Sequence, residues 1–203
     1  MTRVPRLVRT ITVRVLTSMF PQTAGLGWLL LAATGCAQNA QPNHPTSRPW
    51  SDPDHLYTVG VAREPTPRDV QELNGIGTIN YKVYKIEAEP YTYRVAALVY
   101  PGPIPGMAFD PQDELGHASG KSVARMRGTI ASDQNVVENA ELFGKDLIFS
   151  VEDGGHRGRG ILRVFITRAR PFVRFEALCI APADADFEPC TAFVRSLHPT
   201  ARH

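Results

Sequence analysis

From His55 onward the sequence alternates apolar and polar residues with a period of two, which restricts the chain to folds built on half-buried strands. In Thr78–Glu87 (TINYKVYKIE), Ile79, Tyr81 and Val83 alternate with Asn80 and Lys82. Successive strand side chains point to opposite faces, so one face of such a segment seeks a core while the other tolerates water. Leu56–Ala62 reads as a first strand, the Pro65/Pro67 segment as a loop and Gly75–Gly77 as a turn into the second strand. Tyr91–Tyr100 (YTYRVAALVY) is a third strand, separated from the second by Pro90. It is ended by Pro101, Pro103 and Pro105, which cannot donate to a ladder.

The period then changes to that of a helix. Asp110 is an N-cap, Pro111 takes the first helical position and Asp113 adds an acid to the first turn. Leu115, Ala118 or Ser119, Val123, Met126 and Ile130 recur at helical spacing, which carries the helix to about Ser132 with one face packed inward. Four further strands follow: Val136–Leu142, Asp146–Val151, Gly160–Thr167 and Phe172–Ile180. Gly144, the Gly-rich Asp153–Gly160 and Ala169–Pro171 join them into an antiparallel meander. Phe187, Phe193, Val194 and Leu197 space out a short terminal helix within Asp184–Leu197. The order β-β-β-α-β-β-β-β-α predicts an α+β fold, an antiparallel sheet of about seven strands covered by helices.

Several stretches together resemble the PsbP-like family: the Pro65 and Pro67 loop, the Gly75–Gly77 turn into an aromatic-rich strand, and the Tyr100-Pro101 strand end before a long helix. GKDLIFSVEDGG at 144–155, RVFITR at 163–168 and FVRSL at 193–197 continue the pattern, which spans His55–Pro199. The resemblance implies an α/β/α sandwich like that of the small bacterial lipoproteins and secreted proteins of this fold. It also implies a non-enzymatic role, as in the extrinsic proteins of photosystem II. No metal-binding residue of those proteins has a matching motif here, so none is carried over and no cofactor is expected.

The N-terminal segment supplies an address. Arg3, Arg6, Arg9 and Arg14 precede a short apolar run, Trp28–Ala32, and then the small residues Ala33, Thr34 and Gly35 before Cys36. This is the order of an export signal, with an apolar run too short for a membrane span of about 20 residues. The small residues ending at a cysteine are similar to the lipobox of bacterial lipoproteins, although Ala33 stands where leucine is usual. That similarity implies a signal peptide over 1–35, cleavage before Cys36 and acylation of Cys36, palmitate being the kind of chain added, so that the chain is anchored to a membrane without spanning it. The alternative is an ordinary signal peptide cleaved near Ala37 or Ala40. Residues 36–54 contain Pro42, Pro45, Pro49 and Pro53 among polar residues and read as a tether. The domain is expected over 55–199, with a tail at 200–203.

Without residues 1–35 the chain keeps 168 of its 203 residues, enough for one domain. The four leader arginines leave with the signal, so 18 basic residues face 20 acidic ones and the net charge is about −2. Such a charge excludes a strong nucleic-acid field. Cys179 and Cys190 remain downstream of the leader, where export would make them a disulfide candidate, the alternative being two buried thiols.

Signals of catalysis are thin. Gly116–Ser122 (GHASGKS) superficially suggests a phosphate loop, but its glycines are one residue too close and a helix is already capped upstream. Glu114 and His117 form half of a Glu-x-x-His pair without the other half. Asp184, Asp186 and Glu188 alternate, but lack the glycine and spacing of a calcium loop and are expected to favour a helix N-terminus. His156, Arg157 and Arg159 fall on a hairpin tip. Arg163, Arg168, Arg170 and Arg174 are expected on the solvent side of the meander, with Glu176 available for a cross-strand pair. There is no Gly-x-Ser-x-Gly and no His-Glu-x-x-His. The expectation is a non-enzymatic, membrane-anchored envelope module facing the periplasm or exterior, holding a protein or small-molecule partner on its sheet face or in a cleft between helix and sheet. The alternatives are an envelope hydrolase using Glu114, His117 and His156, and a structural envelope lipoprotein.

Overall fold

The computed structural model describes residues 47–74, 77–102, 109–153 and 156–200. Cys36, Pro103, Pro105 and the tail beyond Thr200 lie outside them. The alternating segments become two antiparallel sheets. The larger has the order β3-β4-β5-β9-β8-β7-β6, comprising β3 (Thr66–Asn74), β4 (Gly77–Ala88), β5 (Tyr91–Val99), β6 (Gly128–Val136), β7 (Leu142–Asp153), β8 (His156–Thr167) and β9 (Val173–Pro182). The smaller has the order β1-β2-β10, comprising β1 (Arg48–Ser51), β2 (Tyr57–Val61) and β10 (His198–Pro199). Helix α1 spans Pro111–Arg125 and α2 spans Glu188–Arg195. The α+β class and the seven-stranded antiparallel sheet are as the alternation predicts.

Each face of the large sheet carries its own core. On one side, α1 packs over β6, β7 and β8 and covers Leu147, Phe149, Leu162, Val164 and Ile166. On the other, α2 and the small sheet enclose Tyr57, Val59, Ile86, Val95, Phe165, Phe175, Val194 and Leu197. Two glycines fit this packing because nothing larger would. A Cβ on Gly160 would stand 2.2 Å from Phe149 Cζ, and one on Gly144 would stand 2.5 Å from Phe165 Cδ1.

The α1 start is the one expected: Asp110 Oδ1 accepts from the backbone N–H of Gln112 at 2.8 Å and of Asp113 at 3.4 Å, and Pro111 follows. Its end is not. The helix stops at Arg125 with Met126 as C-cap, Arg127 takes a positive φ of 53°, and β6 begins at Gly128. Ile130, assigned to the helix by its spacing, lies on β6 and is 44 % exposed. The expected strand Val136–Leu142 is instead the connection between β6 and β7.

The Pro65/Pro67 segment is not wholly a loop, since Thr66–Asn74 forms β3. Pro67 is tolerated because β3 is an edge strand with a ladder on one side only. Alternation was hidden because the buried position of this strand is Glu72, while Leu73 is 74 % exposed. The tether also ends sooner than its composition suggests. Arg48–Ser51 pairs with Val61–Thr58, Trp50 packs on Tyr84 with ring centroids 4.8 Å apart, and Asp52 is buried in the turn, where Oδ2 accepts from Asp54 N at 3.1 Å. At the C-terminus α2 is shorter than Asp184–Leu197, because Asp186 accepts from Glu188 N at 3.0 Å just before the first turn.

Candidate functional site

The side chains that α1 turns toward the sheet are not all apolar. β9 carries Arg174 and Glu176 on the α1 face, β3 brings Glu72 to the same level, and Tyr100 directly follows the end of β5. Arg174 Nη2 donates to Glu72 Oε2 at 3.0 Å, and Nη1 donates to the Tyr100 hydroxyl at 3.0 Å and to Glu114 Oε1 at 3.4 Å. Tyr100 in turn donates to Glu114 Oε1 at 2.6 Å. The Arg174 Nε stands 2.9 Å from Glu176 Oε1, but its N–H is not aimed at that oxygen, so the contact is Coulombic rather than a hydrogen bond. From the last turns of α1, Arg125 Nη1 reaches Glu72 Oε2 at 3.1 Å, Lys121 Nζ reaches Glu72 Oε1 at 3.4 Å, and Ser122 donates to Glu176 Oε1 at 3.3 Å.

Three carboxylates and three cations are thus matched beneath one helix, as buried charge requires. Their environments divide the carboxylates. Burial pushes the Glu72 carboxyl up, but Arg174 and Arg125 outweigh it and hold the group at about 2. For Glu176 burial wins over Arg174, with Glu72 adding like-charge repulsion, and its pKa is raised. Two arginines expected on the solvent side of the meander are therefore misplaced by that reading. Arg174 is 1 % exposed, and Arg163 lies buried on the opposite face in a fork to Asp146, at 2.8 and 2.7 Å. Glu176 meets Arg174 along its own strand, two residues away, rather than across strands. Arg168 and Arg170 stay near the surface, stacked over Phe143 at 4.0 Å and Phe172 at 5.5 Å.

Beside this cluster part of the sheet face is left open among the described residues. Since α1 packs mainly on β6 to β8, a cleft of about 350 Å³ runs between the C-terminal end of α1 and the stretches of β3, β4 and β5 about Arg68, Lys85 and Arg94. Val70, Val83, Met126 and Leu178 form an apolar floor. Arg68, Lys85, Arg94 and Arg125 border it. Lys85 and Arg94 are direct partners across the β4–β5 ladder, and Arg68 pairs with Val83 on the same face. A larger cleft of about 670 Å³ opens on the other face beside Asp52, Asp69, Asn80 and Lys82, where acidic and basic residues are mixed. Asp69 faces Lys82 in register, and Gln71 Nε2 donates to Asn80 Oδ1 at 3.1 Å.

The other candidate residues separate. Cys179 and Cys190 are joined, with Cα atoms 5.2 Å apart, fixing α2 to β9. Gly116–Ser122 lies within α1 and forms no phosphate loop. Glu114 turns toward Tyr100 and Arg174, while His117 is exposed; the His156 side chain lies outside the described residues. Arg157 is an exposed partner of Glu152 at 3.9 Å, and Arg159 stacks 4.4 Å over Phe187. Among the described residues, no group of three or more His, Cys, Asp or Glu side chains is placed to hold a metal ion. Sequence reading did not single out Arg68, Lys85 or Arg94. The hairpin register about Glu89-Pro90 was the available signal, since closing it at Ala88 and Tyr91 puts Lys85 opposite Arg94.

No family model and no curated protein matches the chain. Among solved structures it is similar to the solution structure of cyanobacterial PsbP from Synechocystis sp. PCC 6803, at 11 % identity over 79 % of this chain and 96 % of that one, with a TM-score of 0.47. It is also similar to LpqN of Mycobacterium tuberculosis, described as involved in cell envelope biogenesis, at 13 % identity over 78 % of this chain and 93 % of that one, with a TM-score of 0.41.

Proposed function

We propose that this is an exported, lipid-anchored and non-enzymatic binding module, which holds its ligand in the cleft between α1 and the β3–β5 face. The observation that carries the binding half is the part of the sheet face about Arg68, Lys85 and Arg94 that the described residues leave open. It combines an apolar floor with two arginines, Arg68 and Arg94, that make no ion pair among the described residues. A domain with no ligand to hold would be expected to cover or neutralise such a face.

The anchoring half rests on Arg3–Arg14, the small residues 33–35 and Cys36. The bond between Cys179 and Cys190 agrees with an oxidising compartment. Since β1 begins at Arg48, only residues 37–47 separate Cys36 from the sheet, a reach of at most about 40 Å at full extension. On this reading the module works close to the membrane surface.

The test is fractionation of cells expressing the native chain or Cys36→Ser, with labelled palmitate in the medium. The native chain should be labelled and leave the membrane fraction only with detergent, whereas Cys36→Ser should be unlabelled and released. Identical labelling and fractionation of the two would end the anchoring reading.

A further inference from the structure

The charge and shape of the cleft narrow its occupant, on the reading that it is a binding site. Lys85 and Arg94 are paired directly across two hydrogen-bonded strands, an arrangement that costs stability because like charges repel at that spacing. Arg68 is added on the same face from β3, and Arg125 from the last turn of α1. Two of the four have partners already: Lys85 meets Glu87, and Arg125 meets Glu72. Glu176 is the acid lining the cleft, and it is engaged at depth by Arg174 and Ser122. The border of the cleft therefore has uncompensated positive charge, held on strands whose register fixes its spacing.

The interior differs. Val70, Val83, Met126 and Leu178 lie between the cations and gain nothing from an inorganic ion. The volume of about 350 Å³ is at the lower end of small-molecule sites, which span about 300–1,000 Å³. Arginine forks suit phosphate and carboxylate oxygens, and apolar floors suit hydrocarbon. We propose that the cleft binds one organic anion bearing a phosphate or carboxylate head on an apolar body, with Arg68 and Arg94 holding the head and the Val70, Val83, Met126 and Leu178 floor holding the body.

Binding is measured by isothermal titration on the full chain carrying Cys36→Ser, with four probes: dodecyl phosphate below its micelle concentration, dodecyl maltoside, inorganic phosphate, and vesicles of phosphatidylglycerol. Dodecyl phosphate should bind in a salt-sensitive way, at least about tenfold more tightly than either the neutral detergent or phosphate. Arg68→Gln/Arg94→Gln should lose about tenfold or more while melting no lower than the parent, since both side chains are exposed and the change relieves the repulsion between Lys85 and Arg94. Val70→Gln should weaken dodecyl phosphate but leave phosphate unchanged. Equal binding of dodecyl maltoside, or no effect of the double variant, would overturn the assignment of the head. Binding to vesicles but not to monomeric dodecyl phosphate would replace the single-molecule site with a membrane-docking surface. If no probe binds at all, the cleft fails as a binding site, whereas release by Cys36→Ser would still leave the anchor standing.

Discussion

The guanidinium of Arg174 and the carboxylate of Glu72, 102 positions apart in the chain, meet at 3.0 Å with both side chains almost wholly out of water, at 1 % and 2 % exposure. The pair ties an edge strand to the centre of the sheet and lies against the underside of α1. Its size in the ledger of stability is set by what each group would do alone. A buried ion that loses its partner keeps its desolvation cost without the attraction that offset it.

Removing one partner should therefore cost more than removing both. Glu72→Gln and Arg174→Met are each expected to destabilise by about 3–5 kcal/mol, and the double variant by much less than the sum. Urea unfolding of the four members of the cycle measures this. Strictly additive losses would mean that the two side chains act independently.

Stability should also fall in acid in a way assignable to Glu72. Its folded pKa of about 2 lies below the ordinary 4.5, so its contribution is present above pH 4.5 and is lost as pH falls from there toward 2. The loss is on the order of 3 kcal/mol. Glu176 acts with the opposite sign: its raised pKa gives stability that is present below 4.5 and lost as pH rises through the folded value. Unfolding midpoints for the native chain and Glu72→Gln between pH 6 and pH 2 should converge toward low pH. Parallel curves would remove Glu72 as the source.

These two residues also show where sequence reading ends. Alternation in Thr78–Glu87 and Tyr91–Tyr100, and the Asp110-Pro111 cap, were legible because hydropathy and local chemistry agreed with the fold. β3 was not, since its inward position is a charged Glu72 whose burial depends on a partner far along the chain. Arg174 and Arg163 were read as solvent-facing for the same reason: a charge looks exposed until its counter-ion is placed. The end of α1 was misread because Ile130 kept the helical spacing by coincidence after Arg127 had already reversed the chain. The cleft was legible only as a possibility, because which half of a sheet face a helix covers is a property of packing. Cys36 remains the proposal that the residues alone support.

Breaking the link between Cys179 and Cys190 should cost about 3 kcal/mol, the value for closing a loop of this length. The readout is thermal unfolding of the native chain with and without reductant, and of Cys179→Ser/Cys190→Ser. Both cysteines are fully buried, so the serine variant should fall somewhat further than reduction alone. An unchanged melting temperature under verified reduction would count against any stabilising role.

Gly160→Ala should destabilise by about 1–3 kcal/mol, because the new methyl group enters the volume of the Phe149 ring 2.2 Å away. Phe149→Leu in the same chain should recover part of that loss by vacating the space. A Gly160→Ala protein as stable as the native one, with no rescue to find, would mean that the ring moves aside freely.

Both ends of the described chain lie against the same short strand. β1 pairs with one edge of β2 and β10 with the other, while the seven-stranded sheet has no part in either ladder. A chain tethered on its N-terminal side receives any tension at β1, whose four residue pairs with β2 bear the load first. Those four pairs lie outside the ladders of β3 to β9, so on the anchored reading proposed above a pull on the tether would reach β1 before it reached the sheet that carries the cleft.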